Sequence, residues 1–245
     1  MSATATDRPA ILAALAALTA AAWAYLVYDS QTMSCARWMA GGTLWSFPGF
    51  LLMLAMWSIM MAAMMIPSAA PMILTFATVY SRRRQRGAPY VSTAIFVAGY
   101  LAVWAAFSVL ATAAQFALQS AHLLTMTLTS NSARLTAALL IVAGLFQWTP
   151  WKRACLSHCA GPLGFLAASW REGRFGALKM GAHHGFYCLG CCWAVMALLF
   201  AAGVMNLLWV AALSAFVLAE KIAPKYVSRG GGLAMIAAGS AWLVL

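Results

Sequence analysis

The chain has little charge and almost no acid. Four Asp and Glu residues stand among 245, and charged residues of both signs make up 8%. Soluble domains carry roughly a quarter of their residues as charge, so this composition does not describe an ordinary water-exposed surface. No Asp, Glu, Lys or Arg occurs in 38–81, 87–133, 135–151, 180–219 or 230–245. There is no Gly-Lys-Ser/Thr loop to cradle a nucleotide phosphate, so any transport would be passive, gradient-driven or dependent on a partner. Internal repeats and low-complexity tracts are missing too.

Hydrophobic residues fill the space that charge leaves, at 64% of the chain. A membrane-crossing helix needs roughly 20 mainly apolar residues at about 1.5 Å rise each. The expected fold is therefore all-α, a polytopic transmembrane helix bundle forming one integral membrane domain over 1–245. Seven spans are expected, near 9–28, 48–66, 91–116, 135–149, 185–202, 206–222 and 230–245. The fourth is short, and the seventh opens on Gly230-Gly231-Gly232. With the N-terminus inside, thirteen Lys and Arg face the cytoplasm and only Arg37 and Arg134 face out. That asymmetry follows the positive-inside rule. The net charge of +11 is thus read as span-end charge meeting anionic headgroups, and nucleic acid is excluded as a partner because no folded basic domain exists to bind it.

Several local features refine this plan. Ala22-Trp23-Ala24 follows an apolar run and resembles a signal-peptidase site. The length of that run and the single Arg8 against Asp7 favour an uncleaved anchor; cleavage would leave six spans. In the second span, Pro67 and Pro71 each lack a donor and crowd the preceding turn, so a kink or break is expected there. Such a break can free carbonyls to line a polar site, or can be a simple bend. A cytoplasmic loop is expected at about 150–184. Thr149-Pro150 suits an N-cap followed by Pro at the first helical position, opening a short helix over 150–159 that Gly161-Pro162 ends. Leu163, Leu166, Ala167 and Trp170 then recur at helical spacing against Arg171 and Arg174, the pattern of a helix lying on the inner surface.

Chemistry is concentrated in five cysteines. Cys155 and Cys159 fall four apart on the short helix, and Cys188 and Cys192 fall four apart at the start of the fifth span, with Cys191 beside them. Thiolates in such number bind soft metal ions or exchange electrons. Lys152 and Arg153, next to the first pair, are expected to favour the ionised form. Four thiolates suit tetrahedral zinc, whereas two or three suit copper(I) and gather less negative charge beside a bilayer. Cysteine is also a small apolar residue common in helices, which accounts for one or two positions better than for five. Cys35 stands apart and is read as incidental.

Other donors flank the thiols. His158, His183 and His184 each have the ordinary role of a hydrogen-bonding interfacial histidine, and His183 is the best placed to act as a ligand. Met53, Met56, Met60 and Met64 make one helical stripe, with Met61, Met65 and Met72 nearby. Such a stripe is commonly core packing; its density also suits a thioether ladder for copper(I), with Met60 and Met64 at its centre. Glu220 is expected to pair with Lys221 or Lys225, or to serve as a ligand or proton carrier. Asn206 is read as a turn residue. The candidate metal ligands are therefore Cys155, Cys159, Cys188, Cys191, Cys192, His183, His158, Met60, Met64 and Glu220.

From Met56-Trp57-Ser58-Ile59-Met60 through Met64-Met65-Ile66-Pro67 to Val217-Leu218-Ala219-Glu220-Lys221, the chain resembles a bacterial family of predicted metal-binding integral membrane proteins. That family is of unknown function and is sometimes labelled copper chaperones. The most specific pieces are Thr149-Pro150-Trp151-Lys152, Cys155-Leu156-Ser157-His158-Cys159 and Tyr187-Cys188-Leu189-Gly190-Cys191-Cys192-Trp193. The family commonly has arginine where this chain has Ala160, which implies a weaker first cysteine pair if that cation helps to ionise it. The resemblance implies a multi-pass protein of the bacterial inner membrane that binds a metal ion. Copper(I) is the expected ion, with zinc the other choice. The expected function is soft-metal handling or delivery at the inner face, with the lipid bilayer, the metal ion and a metal-donor or metal-acceptor protein as partners. Two alternatives stand. A membrane thiol–disulfide oxidoreductase would use Cys188 and Cys191 as a Cys-x-x-Cys pair, which would make the chain an enzyme. A scaffold or assembly subunit would hold its metal structurally.

Overall fold

A computed structural model describes residues 4–32, 46–87, 91–125 and 128–244. Cys35 and Arg37 lie outside the described residues. The fold is all-α among the described residues: the one β contact is an isolated bridge between Leu124 and Ser130. In chain order the helices are α1 (Thr4–Thr32), α2 (Phe47–Gln85), α3 (Thr93–Ser120), α4 (Ala133–Phe146) and α5 (Pro150–Ala160). They continue as α6 (Pro162–Ser169), α7 (Gly173–Ala197), α8 (Leu199–Ala202), α9 (Leu207–Ile222) and α10 (Pro224–Val244).

Short polar side chains set most of the helix starts. Ser46, Ser92, Ser132, Thr149 and Asn206 each accept a hydrogen bond from a first-turn amide, at α2, α3, α4, α5 and α9 respectively. Each satisfies one of the orphan donors at a helix N-terminus. Thr149-Pro150 opens a helix as its composition suggests, and Asn206, read as a turn residue, is a cap as well.

Four described segments, 8–32, 47–85, 93–120 and 173–202, are long and apolar enough to cross a membrane. A fifth would be the pair α4 and α5, which are bent by 68° at the break between them. The expected seven spans are thus matched in number only in part. The sixth expected span is α9, 16 residues long. The seventh begins at Pro224 rather than Gly230 and runs 21 residues, with Lys225 and Arg229 in its first turns. Gly230–Gly232 lie within this helix: Gly231 lies close to Phe216 of α9 and Gly232 lets α4 approach. A Cβ on Gly232 would stand 3.0 Å from the Gly144 carbonyl.

Helix α2 lies at the centre of the bundle and packs on α1, α3, α6 and α9. Met53, Met56, Trp57, Met60, Met61, Met64, Met65, Met72, Ile73 and Phe76 are all buried along it. Of the kink or break expected at Pro67 and Pro71, the break does not occur: the chain runs through both as one helix of 39 residues. The prolines remove two backbone bonds and crowd the turns before them. Other helices take up the carbonyls there: Ser214 Oγ donates to Met64 at 3.3 Å, Tyr100 to Met65 at 3.3 Å and Lys221 to Ser68 at 3.2 Å. The bonds lost to proline are those to the Ala63 and Pro67 carbonyls, and the carbonyls that join α2 to other helices lie beside them.

The helix expected on the surface is also different. In α6 it is Phe165 and Leu166 that are buried, while Leu163 is 70% exposed. The helix stops at Ser169, so Arg171 lies beyond it and Arg174 belongs to α7.

The closest seam joins α3 to α7. A Cβ on Gly181 would lie 2.0 Å from the Phe96 carbonyl, and one on Gly99 would lie 2.2 Å from the Leu178 carbonyl. Small residues that let two backbones touch are the usual means of joining helices in an apolar environment. Gly181→Leu is expected to destabilise the protein by at least about 1–3 kcal/mol, the range for overpacking. Gly164→Leu, where nothing lies within 4 Å of the added Cβ, is expected to be silent. Thermal unfolding of the two variants in detergent compares them directly.

Candidate metal site

The two cysteine groups meet. Helix α5 lays Cys159 against α7, and the Sγ atoms of Cys159 and Cys191, 32 residues apart in sequence, are 4.0 Å apart. Cys159, Cys188, Cys191 and Cys192 are all buried, and Cys155 is partly exposed. Gly190 makes this approach possible, since a Cβ there would stand 2.8 Å from Cys155 Sγ. The i, i+4 spacing thus puts each pair on one face, and the glycine lets the faces close.

Cys191 and Cys192 each donate to the Cys188 carbonyl, at 3.1 and 2.8 Å. The Cys188 thiol neighbours the Cys159, Cys191 and Cys192 side chains and also reaches polar partners. Tyr100 Oη lies 3.2 Å from its Sγ, and Lys221 Nζ donates to it at 3.3 Å. The same ammonium donates to Ser68 Oγ at 2.8 Å. With the Ser68 carbonyl, its three donors have three acceptors, which lets a charge remain away from water.

The cations are therefore exchanged relative to expectation. Lys152, expected beside the thiols, is fully buried and donates instead to Glu220 Oε2 at 2.8 Å. Ser228 Oγ donates to Glu220 Oε1 at 2.9 Å. Glu220 is thus paired with Lys152, not with its sequence neighbours Lys221 and Lys225, and both its oxygens are engaged. Consecutive helical residues point about 100° apart, so a Glu220 turned toward α5 leaves Lys221 facing α2 and α7.

The histidines also sort differently. His183 and His158 are exposed, their rings against Tyr187 at 4.8 and 4.3 Å. His184 is the buried one, 1% exposed, one turn before Cys188 and stacked on Tyr100 at 5.5 Å. Neither of its ring nitrogens has a hydrogen-bond partner among the described residues. A buried imidazole with both nitrogens open is costly unless another group uses it. Sequence reading named this residue without selecting it. The signal available was its i, i+4 relation to Cys188, which His183 lacks.

Met60 and Met64 are buried in α2, which packs directly on α3 and α9. Near the other end of the stripe, Met53 Sδ accepts from Gln115 at 3.2 Å, while Gln115 accepts from Trp57 at 2.7 Å. Among the described residues no three Cys, His, Asp or Glu side chains form a ready-made metal cage. Two facing sulfurs, a third beside a cation and an open imidazole stand in their place.

Breaking the Lys152–Glu220 pair gives a test of this arrangement. Lys152→Met leaves a buried carboxylate unpaired and is expected to cost about 3–5 kcal/mol. Adding Glu220→Leu is expected to restore most of that loss, as read by thermal unfolding in detergent.

A family model described as PpoB2, copper chaperone, matches residues 54–242, which include all five of these cysteines. No curated protein and no solved structure matches the chain.

Proposed function

The chain belongs to the PpoB2 copper-chaperone family, and from that premise we propose that it is a bacterial inner-membrane protein that receives copper(I) and delivers it at the inner face. Copper is the cargo here, not a resident cofactor. The observation that carries this reading is the 4.0 Å separation of Cys159 and Cys191 sulfurs from two remote helices. With metal–sulfur bonds of about 2.3 Å, that spacing subtends roughly 120°, the angle of a three-coordinate ion. Copper(I) accepts such low coordination by soft sulfur.

The third donor in this reading is Cys188, after a small rotation of its side chain, or the open His184 imidazole. Charge favours a monovalent ion. With the neutral His184 imidazole as third donor, two thiolates and one copper(I) carry a net charge of −1, which Lys221 balances within a site where excess charge is costly; a Cys188 thiolate in its place leaves a charge of −1 unbalanced. Cys155, partly exposed above Gly190, is the outermost sulfur and the point of exchange with a donor or acceptor protein. Met60 and Met64 form part of a thioether route along α2 toward the thiols. The multi-pass topology, with seven spans and the 150–184 region at the cytoplasmic side, belongs to the same proposal. It is supported by the four long apolar segments and by the distribution of Lys and Arg.

The test is titration of the detergent-purified, reduced protein with copper(I) against a competing chelator. Cys159→Ser with Cys191→Ser is expected to weaken binding by more than the roughly 10–100-fold typical of residues that only support ligands. Unchanged affinity and stoichiometry in that double variant would reject the site. Lys221→Met is expected to fall within that 10–100-fold range and to narrow the preference for copper(I) over zinc. An equal loss for both ions would remove Lys221 from the selectivity argument.

A further inference from the structure

On the side of α5 away from the thiols there is a cavity of about 840 Å³, between the α4–α5 bend and the first turns of α10. Its charged lining is basic: Arg153, Lys225 and Arg229 are all exposed, and no carboxylate forms a salt bridge with them among the described residues. Lys152 also borders it, but that charge is cancelled by Glu220. The apolar walls include Trp148, Leu156 and Leu233. One polar group inside has no partner. Gln147, 2% exposed, has neither its amide nitrogen nor its amide oxygen hydrogen-bonded among the described residues.

We infer that this cavity binds the headgroup of an anionic phospholipid, with phosphatidylglycerol as the probe. A phosphodiester suits the two guanidinium groups, whose planar forks bind phosphate oxygens in pairs. The first turns of α10 add the positive end of a 21-residue helix. The Gln147 amide, an acceptor and a donor held in an apolar wall, fits an ester or a glycerol hydroxyl. Trp148 and the leucines fit the first methylenes of the acyl chains. Basic pockets between helices at the inner face are where anionic headgroups bind. A zwitterionic lipid would bring its own cation into a cluster of cations, so the cavity discriminates by charge. Because no cysteine lines it, this inference does not depend on the metal reading.

The experiment uses the full chain, delipidated in non-ionic detergent, with phosphatidylglycerol or phosphatidylcholine of identical acyl chains added back. Phosphatidylglycerol at ten times its Kd is expected to raise the melting temperature by about 3–6 °C, and phosphatidylcholine to leave it unchanged. Lys225→Gln with Arg229→Gln is expected to abolish the rise while keeping wild-type copper(I) stoichiometry. The Arg82→Gln with Arg86→Gln control is expected to keep the rise. Mass spectrometry of the wild type as first purified, before delipidation, needs no variant and is expected to show about one retained phosphatidylglycerol per chain. Equal response to the two lipids, equal loss in the Arg82 and Arg86 control, or no retained phosphatidylglycerol would each overturn the assignment. An equal rise with inorganic phosphate alone would overturn it in favour of a free-anion site.

Discussion

A charge removed from water must keep a partner, and here one pair determines where the thiol-bearing segments lie. Lys152 on α5 and Glu220 on α9 are both buried and 2.8 Å apart. Separating them would strand two ions in a low-dielectric interior, so α5 cannot drift from α9. Helix α5 carries Cys155 and Cys159, and α9 carries Lys221 one residue beyond the carboxylate. The pair therefore brings a sulfur donor and a cation to the same part of α7. Ser228 extends the joint to α10 by its bond to the second carboxylate oxygen.

Proline supplies the second constraint. Pro67 and Pro71 leave the Ala63 and Pro67 carbonyls of α2 without an in-helix donor, and Ser214, Tyr100 and Lys221 donate to the adjacent carbonyls of Met64, Met65 and Ser68. The proline-bearing turns are thus where α3 and α9 bring side-chain donors to α2. Methionine suits the surrounding core, since a flexible thioether fills irregular space. The methionine stripe therefore fits packing as well as it fits a route for a soft ion.

Much of this could be read from the residues alone, and the omissions have physical causes. The all-α class follows from long apolar runs with little charge, and the start of α5 from Thr149-Pro150. The meeting of two cysteine groups follows from i, i+4 spacing on either side of a short connection. What spacing cannot give is the rotation of one helix against another. That rotation decides whether Glu220 faces Lys152 or Lys225, and whether His183 or His184 turns inward. It also depends on long-range contacts such as Gly190 beneath Cys155 and Gly181 against Phe96. The glycine run of α10 misled for the same reason: in isolation it reads as the start of a span, yet Gly232 lies inside the helix where α4 packs closely.

Tyr100 links two of these features through a single hydrogen atom. Its oxygen lies 3.3 Å from the Met65 carbonyl and 3.2 Å from the Cys188 sulfur, and a phenol can donate to only one acceptor at a time. An ionised Cys188 competes with the carbonyl for that hydrogen. In the copper reading proposed above, an ion bound to that sulfur would use one lone pair and draw off its charge, which weakens the sulfur against the backbone carbonyl of α2. Loading and unloading would then be registered as the swing of one hydroxyl between cargo and scaffold, with no helix required to move.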